Sequence, residues 1–109
     1  MLRIEGKQIE AIDLDYLKRE PDVIINALNF ELYSGLSIKQ SIIDRLDLPA
    51  FLFHSEVVIR DCIIKEVQLS YCWFINGLEF TNNTILQEAT FEAGGHNKKP
   101  FIMKENIFH

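Results

Sequence analysis

The chain has 109 residues, 48% of them hydrophobic and 25% charged, with a formal net charge of -5. That describes one globular domain, long enough to bury a core and too apolar to remain disordered. It carries no excess of Lys or Arg to neutralise phosphates and no apolar run near the roughly 18 residues of a membrane span, so neither nucleic acid nor a membrane is expected as a partner.

The opening residues, MLRIEGKQIE, are charged and lack the apolar centre of an export signal, so a cytoplasmic location is expected. Leu2-Arg3-Ile4, then Glu5-Gly6-Lys7, then Gln8-Ile9 reads as a strand, a turn and a strand, a small hairpin. A short helix follows over Leu14 to Glu20. Asp13 is its N-cap, and Pro21 stops it because the residue before proline avoids the helical region. Residues 22–35 fit two patterns. Val23, Ile24, Ala27 and Leu28 allow a buried helix ending at Gly35, whereas Phe30 and Leu32 alternate as a strand does. Residues 1–29 are therefore read as a capping segment.

From Phe30 the chain repeats. Leu36 to Glu56 reads LSIKQSIIDRLDLPAFLFHSE, and Val57 to Gly77 reads VVIRDCIIKEVQLSYCWFING, 21 residues on. A third block starts at Leu78 and a fourth at Phe101. Within each block apolar or small residues come in pairs one residue apart, recurring every five: Leu36/Ile38, Ser41/Ile43, Leu46/Leu48 and Phe51/Phe53, and so on. Alternation puts both members of a pair on one face of a short strand, and the jump to the next pair is a corner. Four corners return the chain over its starting point. Ile38, Ile59, Phe80 and Met103 then stack as one inward column, and Ile43, Ile64, Ile85 and Phe108 as another. Leu48, Leu69 and Phe91 form a third column, and Leu32, Phe53 and Phe74 a fourth. Gln40, Asp61, Asn82 and Glu105 fall at one corner.

No helical face contains a two-on, three-off pattern, so the prediction for residues 30–109 is a parallel β-helix, a solenoid of about 21 residues per coil. The handedness of parallel crossovers favours a right-handed winding. Burial of each large apolar side chain contributes about 1.5–3 kcal/mol, so a coil that cannot fold alone is stabilised by its neighbours.

VQLSY (Val67 to Tyr71), CWFIN (Cys72 to Asn76) and ATFEA (Ala89 to Ala93) resemble the units of pentapeptide-repeat proteins and related right-handed parallel β-helices. The family's small residue two before the centre is replaced here by Leu36, Leu46, Phe51, Val57, Leu78 and Phe101. That implies a wider coil, closer to the three-sheet β-helices of polysaccharide lyases. The resemblance implies a fold and does not choose among interaction modules, DNA mimics, stalks and lyases.

No catalytic motif, metal set or cofactor motif stands out. Cys62 and Cys72 read as two buried thiols, too few for a disulfide framework and too far apart for a metal site. The insertion AGGHNKKP (Ala93 to Pro100) breaks the period, and its His96, Asn97, Lys98 and Lys99 are candidate ligand contacts. Trp73 points outward between inward Cys72 and Phe74, where with Tyr71 it offers an aromatic surface for a sugar ring or another chain, or else lies under the N-terminal hairpin. Asp61, Glu66, Glu88 and Glu92 are outward but scattered, and mixed columns containing Lys39, Arg60 and Lys104 argue against a DNA mimic. Phe101, Met103, Ile107 and Phe108 fall in a coil only begun, so either the native protein continues or the open end docks on another copy, and the expectation is a homodimer joined end to end through residues 101–109. The expected function is a non-enzymatic interaction or scaffold module, with a carbohydrate-binding or carbohydrate-cleaving β-helix as the alternative.

Overall fold

The computed structural model describes residues 1–91, 95–96 and 101–109, with the backbone alone at 95–96. The chain begins with β1 (Leu2–Glu5), β2 (Gln8–Ile12) and α1 (Leu14–Arg19), then β3 (Ile25–Asn26) and β4 (Glu31–Leu32). Three strands recur in the next turn, β5 (Leu36–Lys39), β6 (Ile42–Asp47) and β7 (Leu52–Phe53). They recur again as β8 (Val57–Arg60), β9 (Ile63–Gln68) and β10 (Trp73–Phe74). Then come β11 (Leu78–Thr81), β12 (Thr84–Thr90), β13 (Gly95–His96), β14 (Phe101–Lys104) and β15 (Ile107–Phe108).

These strands stack into three sheets, ordered β1-β5-β8-β11-β14, β2-β6-β9-β12-β15 and β3-β4-β7-β10-β13. Every pairing is parallel except β3 with β4. The fold is a parallel β-solenoid, and the register is the one the sequence columns require: Ile38 lies beside Ile59, Ile59 beside Phe80, and Phe80 beside Met103. From Leu36 to Ile85 every residue of the inward pairs is at most 2% exposed. Phe53 stacks on Phe74 with ring centres 4.9 Å apart and planes 6° from parallel, so the core is filled by like side chains lying over like.

Three sheets take the place of the four sides expected from the pairs. The corner predicted between Ile43 and Leu46 is a bend inside β6. Both residues point inward across two exposed ones, while the pairing with β9 continues on either side. The corner after the first sheet is sharp because one residue there is left-handed. Gly6, Gln40, Asp61, Asn82 and Glu105 have φ of 64°, 50°, 59°, 53° and 59°, one per turn of the solenoid. A single left-handed residue redirects the chain without spending further residues, at a cost of about 1–2 kcal/mol where a Cβ is present. Asn82 eases its own position by donating from Nδ2 to Asp61 Oδ1 at 2.7 Å.

The N-terminal segment corrects the expected hairpin. β1 and β2 do not pair with each other: β1 adds in parallel to β5 and β2 to β6, with Leu2 beside Leu36 and Ile9 beside Ile43. Gly6 is therefore the first of the left-handed corners, and the solenoid begins at Leu2 rather than at Phe30. The predicted short helix forms. Asp13 Oδ1 accepts the Tyr16 N–H at 2.9 Å, and Leu17 is completely buried. In residues 22–35 no helix forms. β3 folds back on β4, with Ile25 opposite Leu32.

The period lengthens in two places. Ile64 pairs with Ile85, but Glu66 pairs with Glu88, so one extra residue is taken up by a bulge at Leu86-Gln87. Phe74 pairs with His96 and Leu78 with Phe101, so the second extra residue lies between those pairs, within the predicted insertion.

Candidate functional site

The two ends of the solenoid differ. At the N-terminal end α1 packs against β2, Leu17 and Ile12 join the core, and β3 covers the edge of β4. β1 keeps one open edge there. At the C-terminal end β13, β14 and β15 are all edge strands. Met103 and Phe108 occupy the columns of Phe80 and Ile85, positions that are buried one coil earlier. They are 37% and 54% exposed. Phe101 lies in the column of Leu78, half-exposed, with its ring edge-on to Phe74 at 5.9 Å. Ile107 belongs elsewhere. Its register with Thr84, and through it with Ile63 and Ile42, puts it in an outward column on the second sheet, where both isoleucines are exposed.

Along the first corner runs a ladder of small polar side chains, each directly after a left-handed residue. Ser41 Oγ accepts the Lys7 N–H at 3.2 Å and donates to the Lys39 carbonyl at 2.9 Å. One coil on, the Cys62 thiol contacts the carbonyls of Arg60 at 3.3 Å and Ile38 at 3.7 Å. Next, Asn83 Oδ1 accepts the Cys62 N–H at 2.9 Å and its Nδ2 donates to the Ile59 carbonyl at 3.0 Å. Asn106 repeats this with the Asn83 N–H at 3.0 Å and the Phe80 carbonyl at 2.8 Å. Each asparagine thus binds the backbone of the coil before it, at a corner where no strand pairing reaches. Asn83 is buried, and no buried side-chain nitrogen or oxygen among the described residues lacks a partner. The sequence signal was present as a column of Ser, Cys, Asn and Asn at inward positions, counted there among the inward apolar pairs.

The other candidates are dispersed. The backbone of His96 pairs with Phe74 in the third sheet, and Asn97, Lys98 and Lys99 lie outside the described residues. Tyr71 is a left-handed corner residue and exposed. Trp73 is half-exposed on the outer face of the third sheet, beside Leu52. It is not under the N-terminal segment, since β7 and β4 separate it from β3. A groove does run along a sheet, but along the first one. Arg3, Glu5, Lys39 and Glu56 border a depression of about 370 Å³, and Glu56, Asn76 and Glu79 border a neighbouring one of about 180 Å³. Ser37 and Val58 form its floor, nearly buried although they face outward. The groove's carboxylates and the aromatic pair Tyr71 and Trp73 are thus on different faces.

His54 Nε2 lies 3.1 Å from Glu31 Oε1, and Tyr33 stacks on the imidazole at 4.3 Å. Both thiols are buried, and burial pushes them up, Cys72 to about 11. They are protonated hydrogen-bond donors at neutral pH and poor nucleophiles. Among the described residues no group of three His, Cys, Asp or Glu could hold a metal ion, and no helix is long and apolar enough to cross a membrane. No family profile, curated protein or solved structure matches the chain.

Proposed function

We propose that the chain is a non-enzymatic interaction or scaffold module that engages a polypeptide at its C-terminal coil. The observation that carries this reading is the contrast of the ends: at one, α1 and β3 cover part of the coil and leave β1 as an open edge, and at the other three strand edges lie beside half-exposed Met103 and Phe108. Unpaired strand edges next to apolar side chains favour strand addition by another chain. The three-sheet coil favours kinship with three-sheet β-helices over the square coil of pentapeptide-repeat proteins. Hydrogen exchange tests the proposal. Amides of residues 101–109 exchange readily in the isolated chain and become protected when a partner docks. Full protection of these amides in the dilute monomer overturns the reading, because the end is then already covered.

A second reading makes the partner another copy. α1 obstructs head-to-tail stacking, so self-association through residues 101–109 gives a closed two-fold pair and no filament. Light scattering at micromolar concentration detects it, and Phe108→Asp abolishes it. A strictly monomeric species excludes this partner.

A further inference from the structure

The groove on the outer face of the first sheet holds charges that the chain itself does not answer. Its two depressions meet at Glu56 and Val58. In the smaller one Glu79 is satisfied: Arg60 lies 3.5 Å away, and Thr81 Oγ1 donates to Glu79 Oε2 at 3.0 Å. In the larger one Arg3, Glu5, Lys39 and Glu56 belong to no ion pair among the described residues. The floor is sunk. Ser37 is 8% exposed and Val58 9%, although both face outward. Ser34, Ser41, Ser55 and Ser70 all hydrogen-bond within the chain, whereas the Ser37 hydroxyl has no partner among the described residues. No buried side-chain oxygen among them goes unpartnered, so that hydroxyl is open to the depression. The depression faces sideways over β5 and β8, so coils stacked beyond either end of the rod leave it open.

We infer that this depression binds a small zwitterion, an aliphatic α-amino acid, and does so independently of the C-terminal coil. The choice follows from the balance of charge. Two cations and two carboxylates border the depression, so a ligand of one sign is attracted by one pair and repelled by the other, while a zwitterion gains from both. Register sets the spacing. Arg3 is beside Ser37 and Ser37 beside Val58, so Arg3 and Glu56 are two strands and two residues apart. At ~4.8 Å between strands and ~3.3 Å per residue, their Cα atoms are roughly 12 Å apart. Two extended side chains reaching over Ser37 narrow that gap to the size of an amino-acid head group. Glu5 stands beside Lys39 in register and draws on it, so Arg3 is the main partner of the ligand carboxylate, which also accepts from the Ser37 hydroxyl. The ligand ammonium donates to Glu56. Its side chain lies on Val58 toward Ile102, which is 37% exposed at the far end of the groove. The sunken floor strengthens these contacts, but the walls are solvated, so the affinity is millimolar.

The test titrates the full chain with L-leucine and follows its backbone amides by NMR. Isocaproate and isoamylamine, the leucine skeleton carrying one charge each, are the comparison ligands. The expected result is saturable shifts at the Ser37 and Val58 amides at millimolar leucine, with both single-charge ligands weaker by about ten-fold or more. Glu56→Gln lowers leucine affinity by about five-fold or more without weakening isocaproate, and Arg3→Gln lowers it without weakening isoamylamine. Both side chains are exposed, so neither variant threatens the fold. No shift at Ser37 and Val58 up to about 50 mM leucine overturns the inference. Equal binding of leucine and isocaproate, or of leucine by the parent and the Glu56→Gln chain, overturns the role of Glu56 and with it the zwitterion. None of these readings involves residues 101–109, so the proposed function stands or falls separately.

Discussion

The closed and open ends are built from the same columns of side chains, yet they end those columns differently. At the N-terminal end the column of Ile12, Leu46 and Val67 meets α1, and Leu17 from that helix joins the same core. At the C-terminal end the column of Ile43, Ile64 and Ile85 runs out into Phe108. A solenoid carries its stability as a sum over neighbouring coils, so the end that lacks a neighbour is where local opening is easiest. The cap therefore does more than shield apolar surface. It brings Leu17 into the core, whereas the C-terminal coil leaves Met103 and Phe108 half-exposed.

Substitutions can break or sharpen that contrast. The largest effect belongs to Leu17→Asp, which removes the plug and buries an unpaired charge. It lowers stability by at least about 3 kcal/mol in urea unfolding, whereas Phe108→Ala at the open end costs less than about 1 kcal/mol. Equal costs at the two ends would show that the C-terminal coil is as well packed as the first. Next is Asn83→Ala, which strands the Cys62 N–H and the Ile59 carbonyl and costs about 2–4 kcal/mol. The same change at partly exposed Asn106 costs about half as much. Asp13→Ala removes the cap of α1 and costs about 1 kcal/mol, measured as a shift in the urea midpoint.

Alkaline titration probes the middle of the rod. The Cys72 thiol is raised from an ordinary 9.0 to about 11. The folded chain therefore holds its proton where the unfolded chain has lost one. That contribution is whole below the unfolded value and is lost as pH climbs through the folded one, so stability falls between about pH 9 and 11. Cys72→Ser reduces that slope, and the raised Cys62 thiol supplies what remains. The smallest effect is Gln40→Gly, which relieves a left-handed residue that has a Cβ and raises the urea midpoint by the equivalent of about 0.5 kcal/mol.

The coils were legible because two constraints act on every residue from Leu36 to Ile85. Alternation fixes the face, and the five-residue recurrence fixes the corner. The first coil obeys the same spacing, with Leu2/Ile4 followed by Lys7/Ile9, yet it reads as a hairpin. Glu5-Gly6-Lys7 suits a tight turn as well as a left-handed corner. The choice is made by β5 and β6, which lie more than thirty residues away in sequence. Residues 22–35 were undecided for a related reason, since Ile25 finds its partner in Leu32 rather than on a helical face of its own. The ladder was half visible. Its residues could be counted as inward, but nothing in the letters says that both ends of the Asn83 amide meet backbone groups. The broken period was read as one event after Ala93, whereas one of the two extra residues had already entered at Leu86-Gln87, where no glycine or proline marks it.

That bulge has a practical consequence. The pairing of β12 with β9 is lost for a few residues and resumes at Glu88 beside Glu66, while Ile85 below it stays in the core and Ala89 regains its place beside Val67. The perimeter of a coil can thus grow by a residue without altering its height or its inward columns. Leu86 and Gln87 are exposed at this point. They form a natural splice site: a peptide inserted between them would be displayed on the outer side of the second sheet, just past the last residue of β12 that pairs with β15, leaving the stacking of the coils before it unchanged.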